Sequence, residues 1–361
     1  MARLYFTVTN DLNFDQRMNR ICTSLAEAGH RVTLVGRMKK NSRPLQPQPY
    51  RQVRLFTFFE RGFLFYAIYN IHLFFYLMTR KMDAICAIDL DTILPCYLTS
   101  KFRRKKRIYD AHELFCEMKE ISSRPLIYKI WKAIEKRTVP HFKLGYCVNH
   151  FIAERFKEMY QVDYTVIRNM PWYKPRKQEA NGDFILYQGA VNEGRCFETL
   201  IPAMQWIDTP LWIAGDGNFM AQARALASQY GVEHKIHFKG MLPPDELRQL
   251  TPKAKVGFTL FEPDAESNYY SLANRFFDYM HAGVPQVCVD YPAYREIYTR
   301  YEIGILIPDV SSERIAEAVN NILHNPAAAT RMQEACKKAA AEYNWQHESE
   351  TLKRFYQQHL G

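Results

Sequence analysis

The sequence lacks several patterns that would assign it to a familiar class of protein. Its eight cysteines are scattered singly, so no pair has the spacing of a zinc site or of a redox-active dithiol. The turn after the first predicted strand has no G-x-G-x-x-G fingerprint, which disfavours a dinucleotide-dependent dehydrogenase. There is no low-complexity tract and no repeat at solenoid periods. We therefore expect a globular protein with reduced thiols, as in the cytoplasm, and without a signal peptide.

A run of apolar residues long enough to cross a membrane is also lacking. The longest candidate, FLFYAIYNIHLFFYLM at 63–78, is interrupted by Asn70 and His72, and a spanning helix needs roughly 20 apolar residues. Two interpretations remain open for this segment. It is either a helix of the core or a helix rich in Phe and Tyr that faces a membrane surface.

Negative charge is scarce in one half of the chain. Residues 1–170 contain 29 Lys and Arg against 15 Asp and Glu, a net charge of +14. Residues 171–361 contain 19 against 23, a net charge of −4. This asymmetry indicates that the first half meets an anionic partner, such as a membrane surface, a phosphate-bearing acceptor or nucleic acid. A solvated basic surface is the alternative.

Strand and helix patterns alternate from one end of the chain to the other, which is typical of parallel sheets covered by helices. The alternation breaks at 168–183, a charged stretch with two prolines that we interpret as a linker, and then restarts. We therefore predict an α/β protein of two Rossmann-like, doubly wound domains that face each other across a cleft. The predicted segments are a first domain at 1–170, a second domain at 171–340 and a final helical segment at 341–361.

In open α/β sheets, ligands bind beyond the carboxyl ends of the strands, so the loops after the strands carry the candidate residues. After the first strand, Asn10 and Asp11 could hold hydroxyls or a phosphate near a helix N-terminus. Alternatively, this loop only caps the helix through Asn13. His112 follows a later strand beside two carboxylates, where it could donate to a sugar or phosphate, or act as an acid or base.

In the second half, Gly189 follows a strand and Arg195 begins the next helix, an arrangement that could hold a diphosphate without a metal. Arg275 and Asp278 lie on the helix after a long polar loop. There the arginine could neutralise phosphate and the carboxylate could accept two ribose hydroxyls, although an ordinary i,i+3 ion pair has the same spacing. The predicted donor-binding set is Gly189, Arg195, Gly215, Ser271, Asn274, Arg275 and Asp278.

Taken together, these segments resemble the retaining glycosyltransferases of family 4, which have the GT-B fold. The resemblance covers essentially the whole chain. The motifs that carry it are TNDLNFDQR (9–17), DLDT (89–92), YDAHELF (109–115), YQGAVNEGR (187–195), AGDGN (214–218) and NRFFDYMHAGVPQV (274–287). It implies that the second domain binds the nucleotide sugar, that the first binds the acceptor, and that the C-terminal helix crosses back to the first domain.

The resemblance also assigns roles to single residues. It places His112 near the donor sugar and Asp11 in the loop that closes over the reaction centre. It places Arg195 and Arg275 at the donor phosphates; with His112 and Asp11 they form the expected catalytic set. The family needs no metal or other cofactor. Asp89 and Asp91, although they fit the D-x-D pattern of metal-binding transferases, would therefore be structural or face the acceptor.

The chain departs from the family pattern at two places. The family has two glutamates separated by seven residues, and here Tyr270 occupies the first position and Asp278 the second. The family's Lys-Gly near the phosphates is Arg195-Cys196 in this chain. Both departures concern recognition of the donor sugar.

The resemblance implies retaining, metal-independent transfer of a sugar from a UDP- or GDP-linked donor to a glycan or lipid-linked acceptor. The expected setting is synthesis of a cell-surface polysaccharide or glycolipid, in the cytoplasm and peripherally on the inner face of the membrane. Two alternatives stay open: a sugar-nucleotide epimerase on a similar fold, and a non-catalytic binder of nucleotides or nucleic acid. Because no compact nucleic-acid recognition motif is present, we expect no nucleic-acid partner. The nucleotide, the sugar and the linkage are not fixed by the sequence.

Overall fold

The computed structural model describes residues 1–13, 15–175 and 182–360. The chain forms two compact units, one of Met1–Asn169 with the segment that starts at Gln346, and one of Met170–Trp345. These divisions lie close to the predicted boundaries at 170 and 340. Phe14, expected in the first helix, and part of the expected linker, 176–181, lie outside the described residues.

The first unit is built on a parallel sheet of seven described strands in the order β3-β2-β1-β4-β5-β6-β7. The order reverses between β1 and β4, and the ligand crevice of doubly wound sheets lies at such a point. Apolar runs form these strands because a parallel sheet covered on both faces is buried throughout. The strands are β1 Arg3–Thr7, β2 Arg31–Met38, β3 Arg51–Phe56, β4 Ala84–Ile88, β5 Lys106–Ala111, β6 Leu144–Cys147 and β7 Thr165–Val166.

The helices that follow these strands begin close to where the periodicity predicts. The cap of the first helix is Asp15, whose carboxylate accepts the Met18 N–H at 3.0 Å, so the expectation that Asn13 caps it was wrong. An N-cap side chain typically accepts the backbone N–H three residues later, and Asp15 is three residues before Met18. The helices are α1 Gln16–Glu27, α2 Gly62–Met78, α3 Ile93–Phe102, α4 Lys119–Ser122, α5 Pro125–Thr138 and α6 His150–Tyr160.

The aromatic run at 63–78 forms α2, and the structure gives it two different sides. One stripe at i,i+4 spacing is buried; it consists of Phe65, Tyr69, Leu73 and Leu77. Large apolar side chains on other sides of the helix are exposed, among them Phe63, Leu64, Ile71 and Phe75. None of the helices in the described ranges has the length and apolar character that crossing a membrane requires.

The second unit contains a parallel sheet of six described strands in the order β10-β9-β8-β11-β12-β13. Its strands are β8 Ile185–Gln188, β9 Leu211–Ala214, β10 Ile236–Gly240, β11 Gly257–Thr259, β12 Gln286–Val289 and β13 Gly304–Ile307. Its helices are α7 Phe197–Ala203, α8 Met220–Gln229, α9 Pro244–Leu250, α10 Glu266–Tyr269, α11 Asn274–Ala282, α12 Pro292–Tyr298, α13 Ser312–Leu323 and α14 Pro326–Glu342.

The last helix, α15 Trp345–Leu360, contributes to the core of the first unit. Tyr356 is fully buried, with its ring centroid 6.1 Å from that of Phe6 on β1 and its hydroxyl 3.3 Å from that of Tyr146 on β6. Nearer the start of α15, the carboxylate of Glu348 accepts the backbone N–H of Arg168 at 2.8 Å. The first unit therefore has a helix that is distant in sequence from the rest of its core.

We predict that Tyr356→Ala destabilises the first unit by about 3–5 kcal/mol, the usual cost of deleting a large buried aromatic side chain. Gln357→Ala, at the exposed neighbouring position of the same helix, is the matched control and should change stability little. Differential scanning calorimetry of the full chain should show a lower unfolding temperature for Tyr356→Ala but not for Gln357→Ala. Equal transitions for both variants would show that α15 does not stabilise the unit.

Candidate functional site

A buried ion pair lies at the carboxyl edge of the first sheet. Arg17, on α1, donates through Nε and Nη2 to the two oxygens of Asp110, on β5, at 3.1 and 2.7 Å. Its Nη1 donates to the carbonyl of Ile167 at 3.1 Å. This two-pronged arrangement is the strong geometry of an arginine–carboxylate pair. It fixes α1 and the segment after β7 to the end of β5.

His112, directly after β5, lies between two carboxylates. Its Nε2 is 3.2 Å from Asp110 Oδ2 and its Nδ1 is 3.2 Å from Asp89 Oδ2, while its backbone N–H donates to Asp89 Oδ1 at 2.9 Å. Burial alone would lower the pKa of His112, but the two carboxylates raise it well above its ordinary value. Because 24% of the side chain remains exposed, the imidazolium also presents an edge to solvent.

Both ring nitrogens of His112 therefore lie 3.2 Å from a carboxylate oxygen, but Nε2 makes no hydrogen bond within the described residues. Arg17 and His112 carry positive charge and Asp89 and Asp110 carry negative charge, so the four groups together are neutral. Burial opposes ionisation of Asp110, yet Arg17 and His112 hold the pKa of this carboxyl below its usual range. The raised pKa favours His112 as a cation, held at Asp89 through its backbone N–H and Nδ1.

Asp11, expected in the loop over the reaction centre, is buried in an ion pair. Its Oδ1 accepts from Arg54 Nη2 at 2.7 Å and its Oδ2 accepts from the Ser42 hydroxyl at 2.5 Å. Asn10 is exposed, and its amide donates to the carboxylate of Asp15 at 3.1 Å. Of the two polar residues after β1, Asn10 is thus the one in contact with solvent.

The two aspartates of the D-x-D pattern have separate partners. Asp89 holds His112, whereas Asp91 accepts a hydrogen bond from the Thr9 hydroxyl. Burial, with a smaller contribution from the charge of Asp89, raises the pKa of Asp91 to about 7. Within the described parts of the chain, no three His, Cys, Asp or Glu side chains form a group that could hold a metal ion.

In the second unit, two glycine turns touch through their backbones. Gly189 follows β8 directly with a φ of +122°, and its N–H donates to the Ala214 carbonyl at 3.0 Å. A Cβ at Gly215 would lie 1.8 Å from the carbonyl oxygen of Gly189, so no larger residue fits there. Gly189 is exposed and Gly215 is buried beneath it, so the turn after β8 exposes backbone without a side chain at the carboxyl edge of this sheet.

Arg275, in the first turn of α11, lies beside Gly189. Only 8% of the residue is exposed, and its Nη1 donates to the Gln188 carbonyl at 3.4 Å. The guanidinium lies over the rings of Tyr187 and Phe261, 4.8 and 4.7 Å from their centroids. No carboxylate in the described residues pairs with it. The pKa of this buried Arg is nevertheless raised, because contributions from the tyrosines, Tyr187 foremost, exceed the opposing effect of burial.

Arg195 and Asp278 each share a neighbouring residue with Arg275. Arg195 stacks on the same Phe261 ring, 4.6 Å from its centroid, and its Nη1 donates to Asn268 Oδ1 at 2.9 Å. Asp278, one helical turn after Arg275, accepts from Gln188 Nε2 at 3.1 Å. Gln188 in turn accepts from the Thr251 hydroxyl at 2.8 Å, which fixes its amide orientation.

The remaining predicted residues have less direct positions. The Ser271 hydroxyl is 3.2 Å from the Tyr294 hydroxyl, and Asn274 is exposed at the first position of α11. Cys196, where the family has glycine, has a left-handed φ of 59° at the start of α7. That backbone conformation suits glycine and is uncommon for other residues, which gives a physical reason for the family's preference.

Sequence reasoning missed several residues that the structure brings into these groups. Arg17 and Arg54 are ordinary helix and strand residues in the sequence, and their carboxylate partners are 93 and 43 residues away. Phe261 lies two residues after β11, and nothing in the sequence indicates that two arginines stack on it. Gln188 is the last residue of a buried strand, and a polar residue there was the one available clue.

Comparison with known proteins covers both halves of the chain. Residues 16–170 match the family model Glycosyltransferase Family 4, and residues 173–342 match Glycosyl transferases group 1. Both sheets and the order of elements are also found in solved structures. Sucrose-phosphate synthase from Thermosynechococcus elongatus is similar with a TM-score of 0.81, 16% identity and 99% of each chain covered.

Two further solved structures are similar over the whole chain. Anabaena Alr3699/HepE, in complex with UDP and glucose, has a TM-score of 0.78 and 14% identity, with 99% of this chain and 100% of that chain covered. The lipopolysaccharide outer core galactosyltransferase WaaB has a TM-score of 0.66 and 13% identity, with 100% of each covered. No curated protein sequence matches this chain. Identities this low establish a shared fold and leave substrates open.

We predict that Asp91→Asn flattens the pH dependence of stability. A carboxyl whose pKa is about 7 when folded, and about 4 when unfolded, binds its proton more tightly in the folded chain. Its contribution to the free energy of unfolding is therefore largest below about pH 4. This contribution falls as the pH rises towards 7, by at most about 1.4 kcal/mol per pH unit.

Urea denaturation of the wild type and of Asp91→Asn between pH 4.5 and 8 measures this slope. Asp163→Asn, which changes an exposed acid of the same unit, is the control and should keep the wild-type slope. Parallel curves for the wild type and Asp91→Asn would contradict the prediction.

Proposed function

The chain belongs to the GT-B glycosyltransferases of the group 1 and family 4 type, and we propose that it transfers a sugar from a nucleotide sugar to an acceptor hydroxyl. The observation that carries this proposal is Arg275, a buried guanidinium with aromatic neighbours and no carboxylate partner in the described chain. A buried charge is costly unless an opposite charge compensates it. A donor diphosphate would supply that charge.

The proposed diphosphate position is supported by the surroundings of Arg275. The backbone of Gly189 lies beside the guanidinium, since a Cβ at this position would be in van der Waals contact with Arg275 Nη1 at 3.5 Å. Arg275 is in the first turn of the nine-residue helix α11, where the helix dipole favours an anion. Arg195, stacked on the same Phe261 ring, adds a second positive charge. These groups could neutralise a diphosphate without a metal or other cofactor.

Asp278 is the proposed ribose ligand. A carboxylate next to phosphates would be repelled, so it belongs at the other end of the nucleotide. Gln188 donates to one carboxylate oxygen of Asp278 and thereby fixes its orientation. An ionised carboxylate accepts from several donors at once, so it can bind both ribose hydroxyls. A solved structure of Alr3699/HepE contains UDP-glucose. This supports a UDP-sugar as the first donor to test.

The proposed reaction retains the anomeric configuration. The bond between the sugar and the diphosphate breaks, and the acceptor hydroxyl attacks from the face that the diphosphate leaves. A diphosphate oxygen takes the hydroxyl proton. Arg195 and Arg275 would stabilise the charge that develops on the leaving diphosphate, which is a dominant form of enzymatic catalysis. His112 would act in the first unit as a fixed positive charge.

The acceptor is proposed to bind the first unit and to be a glycan or a lipid-linked sugar. The net charge of +14 over residues 1–170 supports an acceptor that carries phosphate or lies at an anionic membrane. We therefore place the reaction at the cytoplasmic face of a membrane, in the synthesis of a surface polysaccharide or glycolipid. Salt would weaken such an attachment, because exposed charges are screened within about 10 Å at 0.1 M.

We predict release of nucleoside diphosphate from a UDP- or GDP-sugar only when acceptor extract is present. The assay measures the released nucleotide and the donor sugar, with and without a membrane-lipid or glycan extract. Isomerised donor without acceptor would instead identify an epimerase. Saturable nucleotide binding with no turnover on any donor would identify a non-catalytic binder and contradict the proposal.

We predict that Arg275→Gln and Arg195→Gln weaken binding of nucleoside diphosphate much more than binding of the nucleoside, because only the diphosphate reaches the guanidinium groups. Each lost charged hydrogen bond should cost about 1.5–3 kcal/mol. Asp278→Asn should weaken both ligands alike, since both contain the ribose. Titration calorimetry measures all three variants.

Arg314→Gln, an exposed arginine of the same unit on α13, is the matched control and should bind both ligands as the wild type does. If Arg275→Gln lowers the affinity for nucleoside and diphosphate equally, the guanidinium is not at the phosphates. The proposed donor site would then be misassigned even though the family assignment stands.

A further inference from the structure

An apolar groove lies in the first unit between α2, α3 and α5. It has a volume of about 700 Å³, within the range of about 300–1,000 Å³ that is usual for small-molecule sites. Its walls are formed chiefly by aromatic and aliphatic side chains, among them Phe63, Phe74, Leu94, Leu98, Ile127 and Trp131. None of the proposed donor residues is part of it.

The rim of the groove exposes large apolar side chains to solvent. Phe63 is 73% exposed and Phe75 is 65% exposed, and Leu94 and Ile130 are also exposed. All four line the groove. Contiguous apolar surface of this kind marks a binding site more often than it marks ordinary surface. The side chains belong to three different helices, so the groove is a feature of the folded unit.

One part of the groove reaches the loop after β4. Leu90 and Asp91 of this loop line it, and Asn70, also in the lining, donates to the Asp91 carbonyl at 3.0 Å. The preceding residue of the same loop, Asp89, holds His112. The groove is therefore continuous with the carboxyl edge of the sheet, where the candidate acceptor residues lie.

We propose that this groove binds the hydrocarbon chain of a lipid-linked acceptor, with the sugar of the acceptor at the loop of Asp89 and Asp91. This inference rests on the proposed function, and it names the substrate class of the acceptor site. A sugar without a lipid chain has no apolar part to fill a groove of this length and composition. A lipid chain matches the groove, because its binding there removes apolar surface of both the lipid and the groove from water.

The charge around the groove is complementary to the phosphate that links a lipid chain to a sugar. Arg124 is exposed and lines the groove, as does the acidic Glu120, and Arg61 is exposed beside the first residue of α2. The surrounding sequence, residues 1–170, has a net charge of +14. An uncharged glyceride or a neutral glycan would not use this charge.

Trp131 offers a direct test, because it lines the groove and is the only tryptophan of the first unit; the others are Trp172, Trp206, Trp212 and Trp345. Its ring packs against Phe115 and Tyr66, with centroids 5.1 and 5.4 Å away, so it is a fixed reporter. The probe is 12-bromododecyl phosphate below its micellar concentration, since bromine quenches tryptophan emission on contact. We expect saturable quenching by the monomeric probe, and none in Trp131→Phe.

Three variants test whether the probe binds the groove itself or any exposed apolar surface. Ala67→Phe fills the groove with a ring and should weaken probe binding at least tenfold. Phe63→Ser removes an exposed groove residue and should also weaken it. The matched control is Phe58→Ser, since Phe58 is 76% exposed but lies outside the groove, and its affinity should stay within twofold of the wild type.

Two results would overturn the inference. The first is quenching that requires micelles or vesicles, because the occupant would then be bulk bilayer. The second is equal affinity in Ala67→Phe and the wild type. Calorimetry with nucleoside diphosphate on the same variants distinguishes this inference from the proposed function. If donor binding and transfer to a soluble glycan persist while the probe does not bind, the groove assignment alone fails. Saturable probe binding in a protein that turns over no nucleotide sugar would instead contradict the proposed function.

Discussion

Two cations and two carboxylates at the carboxyl edge of the first sheet are the constraint on which the first unit depends. Arg17 and Asp110 bind each other through two hydrogen bonds, and His112 joins Asp110 to Asp89. Removal of one partner would leave an uncompensated charge, at a cost of about 3–5 kcal/mol in typical buried pairs. The cluster connects α1, β4, β5 and the segment after β7. It also accounts for the left-handed φ of 52° at Asp89, a strained conformation that its contacts with His112 hold in place.

The second unit follows the opposite principle at the same edge of its sheet. Arg275 is stabilised by the ring faces of Tyr187 and Phe261, which hold a cation without neutralising it. In the first unit the charges are already paired, so its loops are fixed before any ligand arrives. In the second unit the positive charge of Arg275 is held in position but not neutralised. A site for an anionic leaving group needs such a charge. The glycine turns add backbone without side chains, so a ligand can come close to this cation.

Much of the fold could be predicted from the sequence, because the strands of buried parallel sheets are continuous apolar runs bounded by turns. The alternation of strand and helix patterns predicted two parallel sheets covered by helices, and the structure contains a seven-stranded and a six-stranded parallel sheet in the described residues. The two-residue strand β7 and the four-residue helix α10 were missed, because neither is long enough to show a period. In the site, the sequence drew attention to His112 and Arg275 through their positions after strands and at helix starts. It could not show that His112 lies between two carboxylates, or that Arg275 pairs with no carboxylate among the described residues, because the topology of the sheets brings these groups together.

The segment at 63–78 shows most clearly what periodicity leaves undetermined. It was open whether this helix belongs to the core or faces a membrane surface, and the structure shows one buried stripe together with exposed apolar side chains. Phe65, Tyr69 and Leu73 cover the sheet side, whereas Phe63 and Phe75 line the groove with α3 and α5. A helix that is apolar on all sides has no preferred face in its sequence pattern, so only the neighbours can show which face is which. These neighbours come from residues 90–134. They cover one part of the second face of α2 and leave the apolar groove along the rest of it. An apolar surface that the protein builds from three helices but does not fill is best explained by an apolar ligand.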